Sequence, residues 1–97
     1  VGEDEKAFEA YDAALRIRPD NSIVLNNYAY YLSLRGEELE KARTMAEQAI
    51  ELDPDNPSNQ DTYGWVLYKL GQYEEALIWI GKSIENHEKD NAEVLEH

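Results

Sequence analysis

The chain has 97 residues, room for one small domain, and its 21 acidic against 9 basic residues give a formal charge of −12. That balance disfavours nucleic acid and anionic membranes as partners, because phosphate binding needs clustered Lys and Arg. The absence of cysteine excludes disulfides and thiolate metal sites, and no apolar run approaches the roughly 18 residues of a membrane span.

The first predicted element is a helix over about residues 4–18, closed by Pro19. The chain opens on Val1 rather than Met and reads as a piece excised from a longer protein. Asp20-Asn21-Ser22 supplies cap oxygens for a second helix, in which Leu25, Tyr28, Ala29 and Leu32 recur at spacing three and four. Gly36 suits the turn after it. A third helix carries Ala42, Ala46 and Ala49 and runs towards Pro54. Asp55-Asn56-Pro57 then opens a fourth, with Pro57 placed for a first turn and the stripe Tyr63, Gly64, Leu67, Leu70. Gly71 marks its end, and the fifth helix follows with Ala76, Ile80 and Ser83.

These elements repeat. Residues 6–21, 41–56 and 75–90 align, with Ala7, Ala42 and Ala76 coinciding, as do Ala14, Ala49 and Ser83, and Pro19, Pro54 and Glu88. The two prolines stand 35 residues apart, and Glu88 follows 34 after Pro54. Residues 22–36 align with 57–71 in the same way. A helix–turn–helix unit of this length, with small residues at fixed offsets and a closing proline, resembles the tetratricopeptide repeat. The sequence departs from that pattern at Leu25 and Gln60 (usually Trp), at Ser83 (usually Ala), at Glu88 (usually Pro), and by one residue inserted in the Arg35–Leu39 turn.

The resemblance implies an all-α fold of about five helices: antiparallel pairs stacked in a right-handed solenoid, an alpha-alpha superhelix. Residues 1–20 would be the second helix of a truncated repeat, and 22–56 and 57–90 two full repeats. Residues 91–97 would either start a further helix near Ala92 or be the remnant of a C-terminal histidine tag. Gly64 costs its helix roughly 1 kcal/mol against Ala, so a side chain must be unwelcome there. We expect the helix bearing Ala76 to approach it closely, and Ala29 with Ala42 to repeat that contact one unit earlier.

In this family the first helix of each repeat lines a concave groove. Projected onto this sequence, that rule selects Asn26, Asn27, Tyr30, Ser33 and Leu34, then Asp61, Thr62, Trp65, Tyr68 and Lys69. Tyr30 and Trp65 occupy matched positions, either on the groove wall or at the core edge. There, paired aromatics could grip an extended peptide or a helix. Asn26 and Asn27 could pair with a peptide backbone or simply solvate a surface. Tyr28, Tyr63 and Tyr31 are expected to pack against neighbouring helices. Asn27 matches an Asn that some relatives use to hold a C-terminal carboxylate, but Ser58 and Thr62 stand where Lys or Arg should follow, and Asp61 adds negative charge. The expected ligand is therefore a neutral or basic protein segment, and the expected function a protein–protein interaction module. The alternative is an assembly module whose apolar C-terminal end (Leu77, Ile78, Trp79, Ile80, Ile84) pairs two copies, with Ile78 and Trp79 as contact residues.

Nothing in the sequence points to catalysis, a cofactor or a metal. His87 beside Glu85 and Glu88 reads as a solvated helix end. The pairs Glu37-Glu38 and Glu74-Glu75 fall at turns and helix starts, where acids complement the helix dipole. The five glycines are scattered rather than gathered in a phosphate loop.

Overall fold

Two of the helices begin where an asparagine side chain pairs backbone N–H groups that have no partner inside the helix. The computed structural model describes residues 2–96, with side-chain surroundings for residues 5–88; His97 lies outside the described residues. Helix α1 spans Gly2–Ile17, and α2 spans Ser22–Arg35. Asn21 caps α2, its side-chain oxygen accepting from the Val24 N–H at 3.2 Å. Gly36 closes α2 at φ +69°, which lets its own N–H and that of Glu37 reach the carbonyls of Ser33 and Leu32. The inserted residue is absorbed here: Glu38 also adopts a left-handed conformation, at φ 48°, before α3 starts at Leu39 and runs to Leu52. Asn56 caps α4 (Pro57–Lys69) by accepting from the Ser58 and Asn59 N–H groups at 2.9 and 3.4 Å.

Helix α5 runs unbroken from Tyr73 to Glu96. The further helix expected near Ala92 is therefore the last part of α5 in this structure. The reason is local. Glu88 stands where Pro19 and Pro54 end the earlier helices, and no Gly or Pro occurs between residues 82 and 96.

Among the described residues there are five helices and no strand. α2 packs on α3, α4 on α5, and α4 also against both α2 and α3, while α1 lies on α2. The core gathers Leu25, Tyr28, Ala29 and Leu32 of α2, Ala42, Met45, Ala46 and Ala49 of α3, and Val66 of α4. Phe8, Tyr11 and Leu15 of α1 close one end of it. The small residues do what their spacing implies. Ala29, Ala42 and Ala76 are buried, and a Cβ on Gly64 would stand 2.7 Å from Ile80 Cγ1 and 3.2 Å from the Ala76 carbonyl oxygen.

Two polar residues at the start of α4 are also buried, and each has a structural task. Asn59 donates to the Ala49 carbonyl (3.1 Å), which also accepts from the Asp53 N–H, and Gln60 donates to the Pro54 carbonyl (2.8 Å) in the turn after α3. Gln60 then accepts from Asn86 of α5 at 2.8 Å, and Ser83 donates to the Pro57 carbonyl at 2.7 Å. Gln60 thus ties α3, α4 and α5 together.

The tyrosines expected in the core pack there with their hydroxyls paired. The Tyr28 ring stacks on Phe8 at 5.3 Å, Lys41 donates to its hydroxyl oxygen at 3.0 Å, and Asp12 lies beside that hydroxyl. Tyr63 meets Trp79 edge-on at 5.1 Å and donates to Glu47 at 3.1 Å. Burial raises both phenols above the usual 10.0; Lys41 beside Tyr28 and Arg43 near Tyr63 oppose the rise without cancelling it. Lys41 is itself held above 10.5, chiefly by its bond to Tyr28. A raised folded-state pKa means that the contribution is whole below pH 10.0 and is lost as pH climbs through the raised values. Thermal melts between about pH 8 and pH 11 should therefore show stability falling only above about pH 10, with Tyr63→Phe falling less steeply than the parent.

Candidate functional site

The positions selected for the groove divide according to what lies beside them. α2 has α4 on one flank, whereas neither the outer flank of α4 nor the opposite flank of α2 has a first-type helix next to it. Matched positions therefore differ. Ser33 is 0 % exposed, its hydroxyl turned onto the Tyr30 carbonyl at 2.6 Å, while its counterpart Tyr68 is 50 % exposed. Asn26 is 8 % exposed and donates to the Ser58 hydroxyl at 3.0 Å, closing the α2/α4 seam, while its counterpart Asp61 is exposed. On the other flank the pattern reverses, with Thr62 buried and Asn27 exposed. Ser33, Asn26 and Thr62 are accordingly seam residues, not groove contacts. A repeat pattern treats the positions as equal and cannot see which of them has a neighbour.

What remains open on the α2/α4 face is Asn27, Tyr30 and Leu34 from α2, and Asp61, Tyr68 and Lys69 from α4. Trp65 lies among them half-buried. Its indole stacks on Tyr68 with centroids 5.6 Å apart and an interplanar angle of 14°, and Lys69 Nζ stands 5.1 Å over the same ring. Trp65 therefore props up its neighbours, and Tyr68 carries the aromatic surface outward to Tyr73 at 5.2 Å. Tyr31, expected against a partner helix, stacks on Tyr11 of α1 at 6.2 Å but stays exposed on its other side.

The apolar C-terminal end divides between half-buried Trp79 and Ile80 and exposed neighbours. Trp79 packs edge-on against Tyr63 of its own repeat and carries Lys82 Nζ 4.2 Å over its ring. Among the described side chains of α5, Leu77, Ile78 and Ile84 are exposed aliphatics, and Tyr73 is exposed as well. Beside Ile84 lies an open cleft of about 500 Å³ between the start of α4 and the later turns of α5, lined by Ser58, Asp61, Ser83, Ile84, His87 and Glu88 among others. No group of three or more His, Cys, Asp or Glu placed to hold a metal occurs among the described residues. No helix among them is long and apolar enough to cross a membrane.

Comparison with known proteins bears on what this arrangement is. A tetratricopeptide repeat family model matches residues 1–96. The chain belongs to the tetratricopeptide repeat family. It is 30 % identical over 69 residues to a TPR repeat-containing protein of Pseudomonas aeruginosa, a match covering 71 % of this chain and 12 % of that protein. It is 39 % identical over 70 residues to the STIP1 homolog of Dictyostelium discoideum, covering 72 % of this chain and 12 % of that protein. The aligned region is thus about an eighth of each relative's length. Tetratricopeptide repeat proteins generally serve as protein–protein interaction modules.

Proposed function

We propose that this tetratricopeptide unit holds an extended protein segment along the α2/α4 face. The observation that carries the reading is the row of exposed Tyr30, Leu34 and Tyr68 on helices whose opposite faces are buried in the core. Large apolar side chains held on rigid helices offer contact area at little cost in conformational entropy. Among the described residues Lys69 is the only cation on this face, and the formal charge of the chain is −12, so the favoured ligand is neutral or basic. A C-terminal carboxylate would meet Asp61 instead of a paired Lys or Arg.

The test is selection of binding peptides from a displayed random library, followed by titration with variants. Tyr30→Ala and Tyr68→Ala should each weaken a selected neutral or basic peptide by about tenfold or more while leaving helicity intact by circular dichroism. Trp65→Ala should weaken it as well, because Tyr68 loses its support. Selected peptides that bind these variants as tightly as the parent would remove the groove from the account. A second reading, self-association, draws on exposed Leu77 and Ile84 at the α5 end; sedimentation equilibrium over a concentration series separates it from the first.

A further inference from the structure

Among the described residues two buried side-chain atoms have no hydrogen-bond partner, Asn26 Oδ1 and Trp65 Nε1. Their surroundings differ. Asn26 is sealed into the α2/α4 seam, 8 % exposed, and its amide donates to Ser58. Trp65 is half-buried on the open α2/α4 face, with Tyr68 stacked on its indole and the Lys69 ammonium over the ring. An indole N–H can only donate, and a buried donor without an acceptor costs free energy. A ligand acceptor at this point of the face would remove that cost.

The rest of the face says which ligand carries such an acceptor. Its amide and carboxylate, Asn27 and Asp61, lie about a turn nearer the helix starts than Tyr30 and Trp65. From Tyr30 and Trp65 onward the open side chains are Leu34, Tyr68 and Lys69. This stretch supplies rings, an aliphatic chain and donors, and phenol oxygens are its only side-chain acceptors. A ligand carbonyl is well served there, whereas most ligand backbone N–H groups would be buried unpaired. Proline presents a carbonyl and has no N–H. Proline-rich segments also hold an extended helix before binding, so they lose little entropy on an aromatic-lined groove.

We infer that the groove takes a proline-rich segment, one carbonyl of which accepts from Trp65 Nε1, with a Lys or Arg flanking the prolines. The inference rests on the groove function proposed above and narrows it to one ligand class. The flanking cation suits a chain of formal charge −12 and an exposed Asp61 one turn away. To meet the carbonyl the indole turns its N–H outward. Its two ring partners, Tyr68 and Lys69, are exposed and can move with it.

The test titrates the isotope-labelled whole chain by NMR with two synthetic peptides. One is a lysine followed by a run of about eight prolines; in the other every second proline is alanine. The indole N–H resonance of Trp65, assigned by its loss in Trp65→Phe, should move downfield as the proline peptide binds, while that of Trp79 stays in place. The alanine-containing peptide should bind at least about fivefold more weakly. Trp65→Phe should weaken the proline peptide by about fivefold to tenfold with unchanged circular dichroism. No binding of the proline peptide, an unmoved Trp65 indole resonance, equal affinity for the two peptides, or undiminished affinity in Trp65→Phe would each overturn the inference. The groove itself would survive any of these results if library-selected peptides still bound in a way that Tyr30→Ala weakens.

Discussion

Gly64→Val is expected to lower the unfolding free energy by about 3 kcal/mol, the upper part of the range for overpacking a core. Two effects oppose each other at this position. Replacing Gly in a helix interior gains up to about 1 kcal/mol of helix propensity, less for β-branched Val than for Ala. Against that, the first added carbon would lie 2.7 Å from Ile80 Cγ1, 3.2 Å from the Ala76 carbonyl oxygen and 3.3 Å from the Ile80 nitrogen. A side chain can turn aside, but two of these three neighbours are backbone, and moving them means separating α4 from α5. Val adds two further methyls, so the steric effect wins; in Gly64→Ala the two nearly balance, with a net loss of about 1 kcal/mol. Gly81 supplies the internal control. It too lies inside a helix, but an added carbon there meets nothing within 4 Å. Gly81→Ala should therefore stabilise by roughly 0.5–1 kcal/mol. Urea denaturation of the three variants checks the ordering; Gly64→Val as stable as the parent would mean that α4 and α5 are not in close contact at this point.

The contrast between the two glycines shows which parts of the structure the sequence displays. Gly64 and Ala76 were legible because close helix approach demands small residues on both sides, and helical spacing runs straight through Gly64. Helix starts were legible for the same local reason, since Asn21 and Asn56 cap groups only two or three residues away. The groove was legible only in part. Ser33 and Tyr68 hold the same place in the repeat, yet one is sealed and the other open, because α4 flanks α2 and no equivalent helix flanks α4. No sequence pattern marks Asn59 and Gln60 as buried ties, because their partners are carbonyls ten and six residues back across a turn. The length of α5 was obscured by the repeat itself: the period called for a break near residue 88, and only the missing proline spoke against it.

Leu67→Ala and Leu32→Ala are each expected to cost roughly 2–5 kcal/mol, the range for emptying a fully buried leucine site. Their exposures are 0 % and 1 %, so neither site has solvent-facing slack to collapse into. A small domain has a total stability of only about 5–15 kcal/mol, so either change takes a large fraction of it. What distinguishes them is where the loss is felt. Leu32 belongs to the cluster that joins α2 and α3, reaches α4 through Val66 and is closed by α1. Leu67 lies outside that cluster, on the helix that pairs with α5. In a stacked-repeat protein each unit is held by its own packing and by its nearest neighbour. Leu32→Ala weakens α2, against which α1, α3 and α4 all pack, and should raise hydrogen exchange across the whole chain. Leu67→Ala weakens the outermost pair, so α5 should exchange faster first, while α2 and α3 keep most of their protection. Hydrogen exchange read by mass spectrometry on both variants decides it: equal loss of protection in every helix for Leu67→Ala would show that the two repeats unfold as one unit.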